Sequence, residues 1–501
     1  MSELPRYLRE MQLRVEDVAK SYGLDFFPTH FIVLDYKTMN EVAAYGGFPS
    51  RYPHWRYGME YDRLSKSHIF GLSKIYEMVI NNDPCYAYLL EGNSLMEQKM
   101  VMAHVMAHND FFKNNFTFSK TERHMINEMA NHAVKVRRAM EKYGVEEIEN
   151  FIDVCLSIEN LIDVYSQFIV RQPMEPPPDT GETRIDSGAI HRFDAKPYME
   201  SFINPPEYLE TQKEKIRESM KNRNRLPWAP TSDVLNFLIH YAPLNTWERM
   251  ILETIREEAY YFAPQAMTKI MNEGWATFWH TKMMTEKLLE PSEVINYADT
   301  TSGVTYQAKG QLNPYKMGLE LFRYIEERWN RGAFGPEYHN CTDIEQRLHW
   351  NTQANKGIEK IFEVRRHFSD VTFLDEFFTE DFANERQFFN YDFNKSKEEY
   401  VISTREFNEI KQRLLFQLTN RGQPVIEVVD ANYHNRSELY LVHRHNGIDL
   451  EVPYAKATLE NINRIWKRPV NIRTVFKNKH LVLSYDGQIH TSNEVKENEG
   501  W

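Results

Sequence analysis

Ser94-Leu-Met-Glu97, followed by Met100-Val-Met-Ala-His-Val-Met-Ala-His108, is the stretch on which the fold turns. A serine and a glutamate three residues apart can each satisfy one of the unpaired amides at a helix start. The run from Met100 to His108 carries no charge, no Pro and no Gly, so the helix it predicts has a buried body. On that helix His104 and His108 stand at i and i+4, share a face and can aim both rings at one ion. An HxxxH pair among 18 histidines is weak evidence by spacing alone, and two hydrogen-bonded core histidines is the plainer reading.

Met271-Asn-Glu-Gly-Trp-Ala-Thr-Phe-Trp-His280 raises the metal reading. A carboxylate among tryptophans and methionines needs a partner, because stranding it costs several kcal/mol. Glu273 on a second helix is the usual third ligand when two histidines come from a first, and zinc or another divalent transition metal would satisfy all three groups. The bland alternative is a Glu273 paired with a core arginine. Thr277 and His280 follow on much the same face, Thr277 as a supporting group and His280 as a fourth ligand or an acid. Gly274 in mid-helix costs roughly 1 kcal/mol relative to Ala, which implies close approach of another backbone or of substrate.

No histidine is followed directly by glutamate, so the HExxH signature of zinc peptidases, with its general base, is absent; Val105 occupies that place. The candidate bases are Glu258 and Glu257 in Arg256-Glu-Glu-Ala-Tyr-Tyr-Phe262, with Tyr260 or Tyr261 as oxyanion donor. Adjacent glutamates on a helix are more often surface charge. The loop Ala44-Tyr-Gly-Gly-Phe-Pro-Ser-Arg-Tyr-Pro-His-Trp-Arg-Tyr-Gly58 is dense in Arg, aromatic and Gly residues. It suits either a substrate-binding loop, with Arg51, His54, Trp55 and Arg56 as its contacts, or a rigid packed turn.

Outward from these segments, residues 60–170 are patterned as helix, with apolar spacings of three and four. Residues 171–230 hold Pro173, Pro176, Pro177, Pro178, Pro197, Pro205, Pro206, Pro227 and Pro230 and read as an irregular arm or lid. Helical patterning returns over 231–330, where Asn245-Thr-Trp-Glu248 can cap one helix and Pro264 can open the next. Beyond residue 400, Val425–Val429, Glu438–Val442, Val470–Val475 and Leu481–Tyr485 read as strands around a helix at Tyr454–Arg468. The predicted fold is mainly α, with a large helical domain over 1–395, a small α+β domain over 396–490 and a frayed tail over 491–501.

The 501 residues carry 42% hydrophobic, 13% aromatic and 26% charged side chains, the make-up of a folded protein long enough to enclose a catalytic cavity. A net charge of -12 and a pI near 5.9 argue against a nucleic-acid partner, which calls for a basic stripe. Cys85, Cys155 and Cys341 are far apart and odd in number, as in a reducing compartment. Neither a signal peptide nor a membrane span is expected, so the expected location is the cytoplasm.

Several of these segments resemble the stage V sporulation protein R (SpoVR) family: Ala43–Trp55, Tyr76–Tyr88, Ala103–Asn115, Thr268–His280 and Leu312-Asn-Pro-Tyr315. The resemblance implies a part in sporulation, specifically assembly of the peptidoglycan cortex, without supplying a reaction; the metal site leads us to expect a hydrolase acting on an amide or peptide bond, the alternative being a non-catalytic assembly or regulatory factor whose site is structural. It further implies a PrkA-type serine kinase and a von Willebrand-like domain protein as partners; the substrate expected of the hydrolase is a peptidoglycan precursor or peptide. The Glu-Gly-Trp-Ala stretch also resembles the helix carrying the third zinc ligand of gluzincin peptidases, which implies a gluzincin-like helix arrangement in which only His104, His108 and Glu273 carry over.

Overall fold

The computed structural model describes residues 4–69, 77–169, 199, 204–211, 226–227, 229–307, 311–394 and 399–496. The chain divides into two compact units, Met1–Ile148 with Tyr260–Gly422, and Glu149–Ala259 with Gln423–Trp501. The fold is mainly α, as expected. The Pro-rich segment 171–230 lies largely outside the described residues.

In the first unit the His104 helix runs Leu95–Asn114 and begins at the expected capping box. Glu97 N donates to Ser94 Oγ at 3.2 Å and Ser94 N to Glu97 Oε2 at 2.7 Å, pairing two amides that the first turn leaves open. From Gln98 to Phe112 every residue is buried, so the helix is enclosed all round. The Glu273 helix, Lys269–Met283, lies against it and is buried without a break from Ile270 to His280. Its N-terminus is capped from a distant segment. Ile270 N and Met271 N each donate at 2.8 Å to the Asp370 carboxyl group, which burial raises to about 7 against the pull of these two bonds, and which caps the positive end of the helix dipole.

The Gly318 helix, Pro314–Asn330, crosses the Glu273 helix where two glycines meet. A Cβ on Gly274 would collide with the backbone of Gly318, and one on Gly318 with the carbonyl of Ile270. The close approach foreseen from Gly274 is thus that of a neighbouring helix backbone. A buried ion pair joins further elements, with Arg365 Nη1 3.0 Å from Asp110 Oδ1 and Trp275 Nε1 donating to Asp110 Oδ2 at 2.9 Å.

The first unit also holds a sheet that the helical reading of residues 60–170 did not foresee. Strands β1 (Thr29–Leu34), β2 (Glu77–Ile80) and β3 (Cys85–Leu90) pair in the order β1-β3-β2, β1 parallel and β2 antiparallel to β3. Cys-Tyr-Ala-Tyr-Leu-Leu is short and almost fully buried, a pattern whose periodicity does not separate strand from helix. Strands β4 (Asn390–Asn394) and β5 (Glu399–Thr404) form an antiparallel pair. A second correction concerns Pro264, which lies inside the helix Thr246–Met267; the break falls at Thr268, whose hydroxyl returns to Pro264 O at 2.7 Å.

The second unit is built on strands β6 (Ile426–Tyr433), β7 (Glu438–His443), β8 (Val470–Phe476), β9 (Lys479–Tyr485) and β10 (His490–Glu494), ordered β10-β9-β8-β7-β6. Only β7 and β8 pair in parallel, and the helix Val452–Trp466 makes the crossover such a pair requires. The segment after His490, expected to fray, instead pairs with β9 as far as Glu494, completing the edge of the sheet.

Candidate metal centre

His104 and His108 project from one face of their helix toward Glu273, and the three ligand atoms lie within 4.8 Å of one another. Among the described residues this is the one cluster of His, Cys, Asp or Glu placed to hold a metal ion. His104 Nε2 and His108 Nε2 stand 3.6 and 3.4 Å from Glu273 Oε2, too far for good hydrogen bonds. A tetrahedral ion with bonds of about 2.0–2.1 Å sets its ligand atoms about 3.4 Å apart, so these separations are those of a coordination shell.

The second nitrogen of each ring is engaged. His108 Nδ1 is 2.8 Å from Asn272 Oδ1, and since an amide oxygen only accepts, the proton sits on Nδ1 and the lone pair of Nε2 faces Glu273. His104 Nδ1 is 2.8 Å from His280 Nδ1. When the bridging proton sits on His104 Nδ1, Nε2 of His104 faces the carboxylate as a second lone pair. Glu273 Oε2, buried, receives no hydrogen bond, whereas Oε1 accepts from the exposed Lys269 Nζ at 2.6 Å. The three ligand atoms thus converge without a good hydrogen bond among them, a gap that a cation would fill.

The charge states agree. Burial, then neighbouring His108, pushes the His104 imidazole down to about 4 against the pull of Glu273. Burial and the two neighbouring histidines likewise hold His280 well below its ordinary value. Burial pushes Glu273 upward, but the two histidines and Lys269 outweigh it and leave the carboxyl well below the usual range. A neutral His104 imidazole and an ionised Glu273 carboxylate can take a divalent ion without first losing protons.

Two further groups stand at the trio that the sequence reading did not single out. Glu77, at the start of β2, is a half-buried carboxyl raised to about 7, by burial first, with Glu273 adding to the rise and His108 opposing it. Tyr315 stacks over His104 with ring centroids 6.2 Å apart and planes 24° from parallel, and its phenol sits beside Glu273. Tyr315 lies in the Leu312–Tyr315 motif and Asn272 adjoins Glu273, but nothing in either local pattern marks a role.

Of the other expected site residues, His280 joins the centre through His104. Thr277 Oγ1 donates to the backbone oxygen of Glu273 at 2.7 Å and so supports the helix turn. Tyr261 is buried with its hydroxyl on Asn81 O at 3.0 Å and its ring against Phe48, not at the trio. Glu258, buried, and Glu257, exposed, fall in the second unit, whereas the trio lies in the first. In the loop before the helix Trp55–Ile69, Arg51 and His54 are buried, and the Arg51 guanidinium lies over Tyr52 and Tyr57 and donates to Tyr57 Oη at 2.6 Å. That geometry is a packed turn, with Trp55 and Arg56 left at the surface.

Residues 3–423 match the family model described as SpoVR like protein, and residues 424–477 match the SpoVR-like C-terminal domain. The chain belongs to the SpoVR family. A SpoVR relative, the uncharacterized protein YcgB of Escherichia coli strain K12, is 29% identical over 480 residues, covering 90% of this chain and 88% of the relative. No solved structure matches. Among the described residues of this SpoVR protein, no helix is long and apolar enough to cross a membrane.

Proposed function

We propose that this SpoVR protein is a metal-dependent hydrolase of an amide or peptide bond, with zinc or another divalent transition metal held by His104, His108 and Glu273. The observation that carries the reading is the buried Glu273 Oε2, which has no hydrogen bond and faces the Nε2 atoms of two histidines at 3.6 and 3.4 Å. When bound, such an ion polarises a carbonyl and lowers the pKa of water. Asn272 and His280 fix the ring orientations and tautomers. Glu77, a carboxyl beside the trio that burial raises to about 7, is the candidate for the base that HExxH would supply. The family resemblance directs the substrate search to amide bonds of peptidoglycan precursors or stem peptides, in the setting of spore cortex formation.

The second reading is a non-catalytic assembly or regulatory factor, working with a serine-kinase module, in which the same ion is structural. The burial of all three ligands favours it, since structural sites are closed. Mass spectrometry of bound metal, comparing wild type with the His104→Ala, His108→Ala double variant, tests the common core of both. Near-stoichiometric metal that vanishes in the variant is expected; protein purified without chelators and free of metal overturns it. Glu273→Gln then separates the readings, since a folded but inactive variant speaks for catalysis and loss of folding for a structural ion.

A further inference from the structure

The geometry points to Tyr315 as the hydrogen-bond donor of this centre, held over it by a glycine-on-glycine helix crossing and placed to receive the carbonyl oxygen of an acyl substrate. This inference rests on the metal reading above.

The backbone of Tyr315 is fixed from both sides. Asn313 Oδ1 accepts from Tyr315 N at 2.9 Å and Lys316 N at 3.3 Å, while its Nδ2 donates to Val304 O at 2.9 Å and Tyr306 O at 2.8 Å. Pro314, the first residue of the helix, has its φ set by its ring. Three residues after Tyr315, Gly318 meets the backbone of Gly274, the residue next to Glu273. Residues three apart lie on one helix face, so the crossing that presses Gly318 onto Gly274 also turns Tyr315 toward Glu273. Side chains at either glycine would lift the helices apart and draw the phenol away. The ring then stacks on His104, with its hydroxyl end beside the Glu273 carboxylate.

That position gives the phenol a function no neighbour can fill. A carbonyl under nucleophilic attack gathers negative charge on oxygen, and a fixed neutral donor at that oxygen stabilises the charge without reorganising. Lys269 is committed to Glu273 Oε1, and the Tyr261 hydroxyl is committed to Asn81. The Tyr315 hydroxyl donates to the Glu273 carboxylate itself, so a metal that takes up that carboxylate would free the donor for a carbonyl oxygen beside it.

The test uses the full chain loaded with cobalt(II), whose visible absorption reports ligands entering the metal's open position. Acetohydroxamate presents a carbonyl oxygen as well as a metal-binding oxygen; 2-mercaptoethanol binds through sulfur and presents none. Tyr315→Phe is expected to weaken acetohydroxamate roughly 10-fold, the value of a hydrogen bond to a charged group, while 2-mercaptoethanol and cobalt affinities stay within about twofold. Unchanged acetohydroxamate affinity overturns the assignment. So does equal weakening of both probes, or loss of cobalt, either of which makes Tyr315 a structural residue or a ligand. Wild-type protein that takes up no cobalt removes the metal reading itself and this inference with it.

Discussion

Asn272 shows how one side chain decides what a histidine can do. Its amide oxygen accepts from His108 Nδ1 and so favours the tautomer that turns the Nε2 lone pair toward Glu273. Asn272→Ala frees the ring to exchange tautomers and to turn, and metal affinity is expected to fall 10- to 100-fold, read by competition with a chromophoric chelator, with the fold intact by circular dichroism. His104 yields a pH prediction for the metal-free protein. The folded state holds this imidazole neutral down to about 4, against an ordinary 6.5. Below pH 6.5 the unfolded chain therefore binds a proton that the folded chain refuses. The contribution is at its full value above 6.5, and stability falls as pH drops from there toward 4, by up to about 1.4 kcal/mol per pH unit for each such group. Denaturant midpoints measured in chelator at pH 7.5, 6 and 5 give the slope, which His104→Gln should flatten. A slope that rises toward acid would show that the imidazole is not kept neutral by burial.

At the scale of elements, the centre depends on where two helices start and cross. Asp370 accepts from Ile270 N and Met271 N, so Asp370→Ala strands two buried amides at the head of the Glu273 helix. The expected loss is about 2–4 kcal/mol by denaturant unfolding, and a loss under about 0.5 kcal/mol would mean that water replaces the carboxylate. Gly318→Ala drives a methyl group into the carbonyl of Ile270 and should cost about 1–3 kcal/mol by the same measurement. These elements also show what a single chain reveals before it folds. The capping box, the histidine pair and the buried glutamate are legible because each is a pattern within one helix. Gly274 announced a close approach, since glycine in mid-helix otherwise only destabilises, but its partner, 44 positions along the chain, leaves no local trace. Asn272, Tyr315 and Glu77 reach the trio through contacts between elements, which periodicity does not encode. Strands β2 and β3 escaped because short buried strands and buried helix segments are both continuous apolar runs. In the second unit, β6 to β9 were readable because their β-branched runs are separated by clear turn signals.

Over the whole molecule, all three ligands belong to the unit formed by Met1–Ile148 and Tyr260–Gly422, and none to the unit formed by Glu149–Ala259 and Gln423–Trp501. An ion that binds only folded protein stabilises the part whose unfolding destroys its site, by about 2.7 kcal/mol when present at 100 times its dissociation constant. The ligands come from residues 104, 108 and 273, so the site needs both segments of the first unit to be folded together. Scanning calorimetry with and without a chelator should therefore show metal raising one heat-absorption transition while a second, carried by the five-stranded sheet and its crossover helix, stays in place. His104→Ala should reproduce the chelated trace whether metal is present or not. A single transition that moves as a whole would show that the two units unfold as one cooperative body. Two transitions of which only the sheet's moves would place the ion elsewhere in the chain, and the three-residue centre would then be a buried polar network without metal.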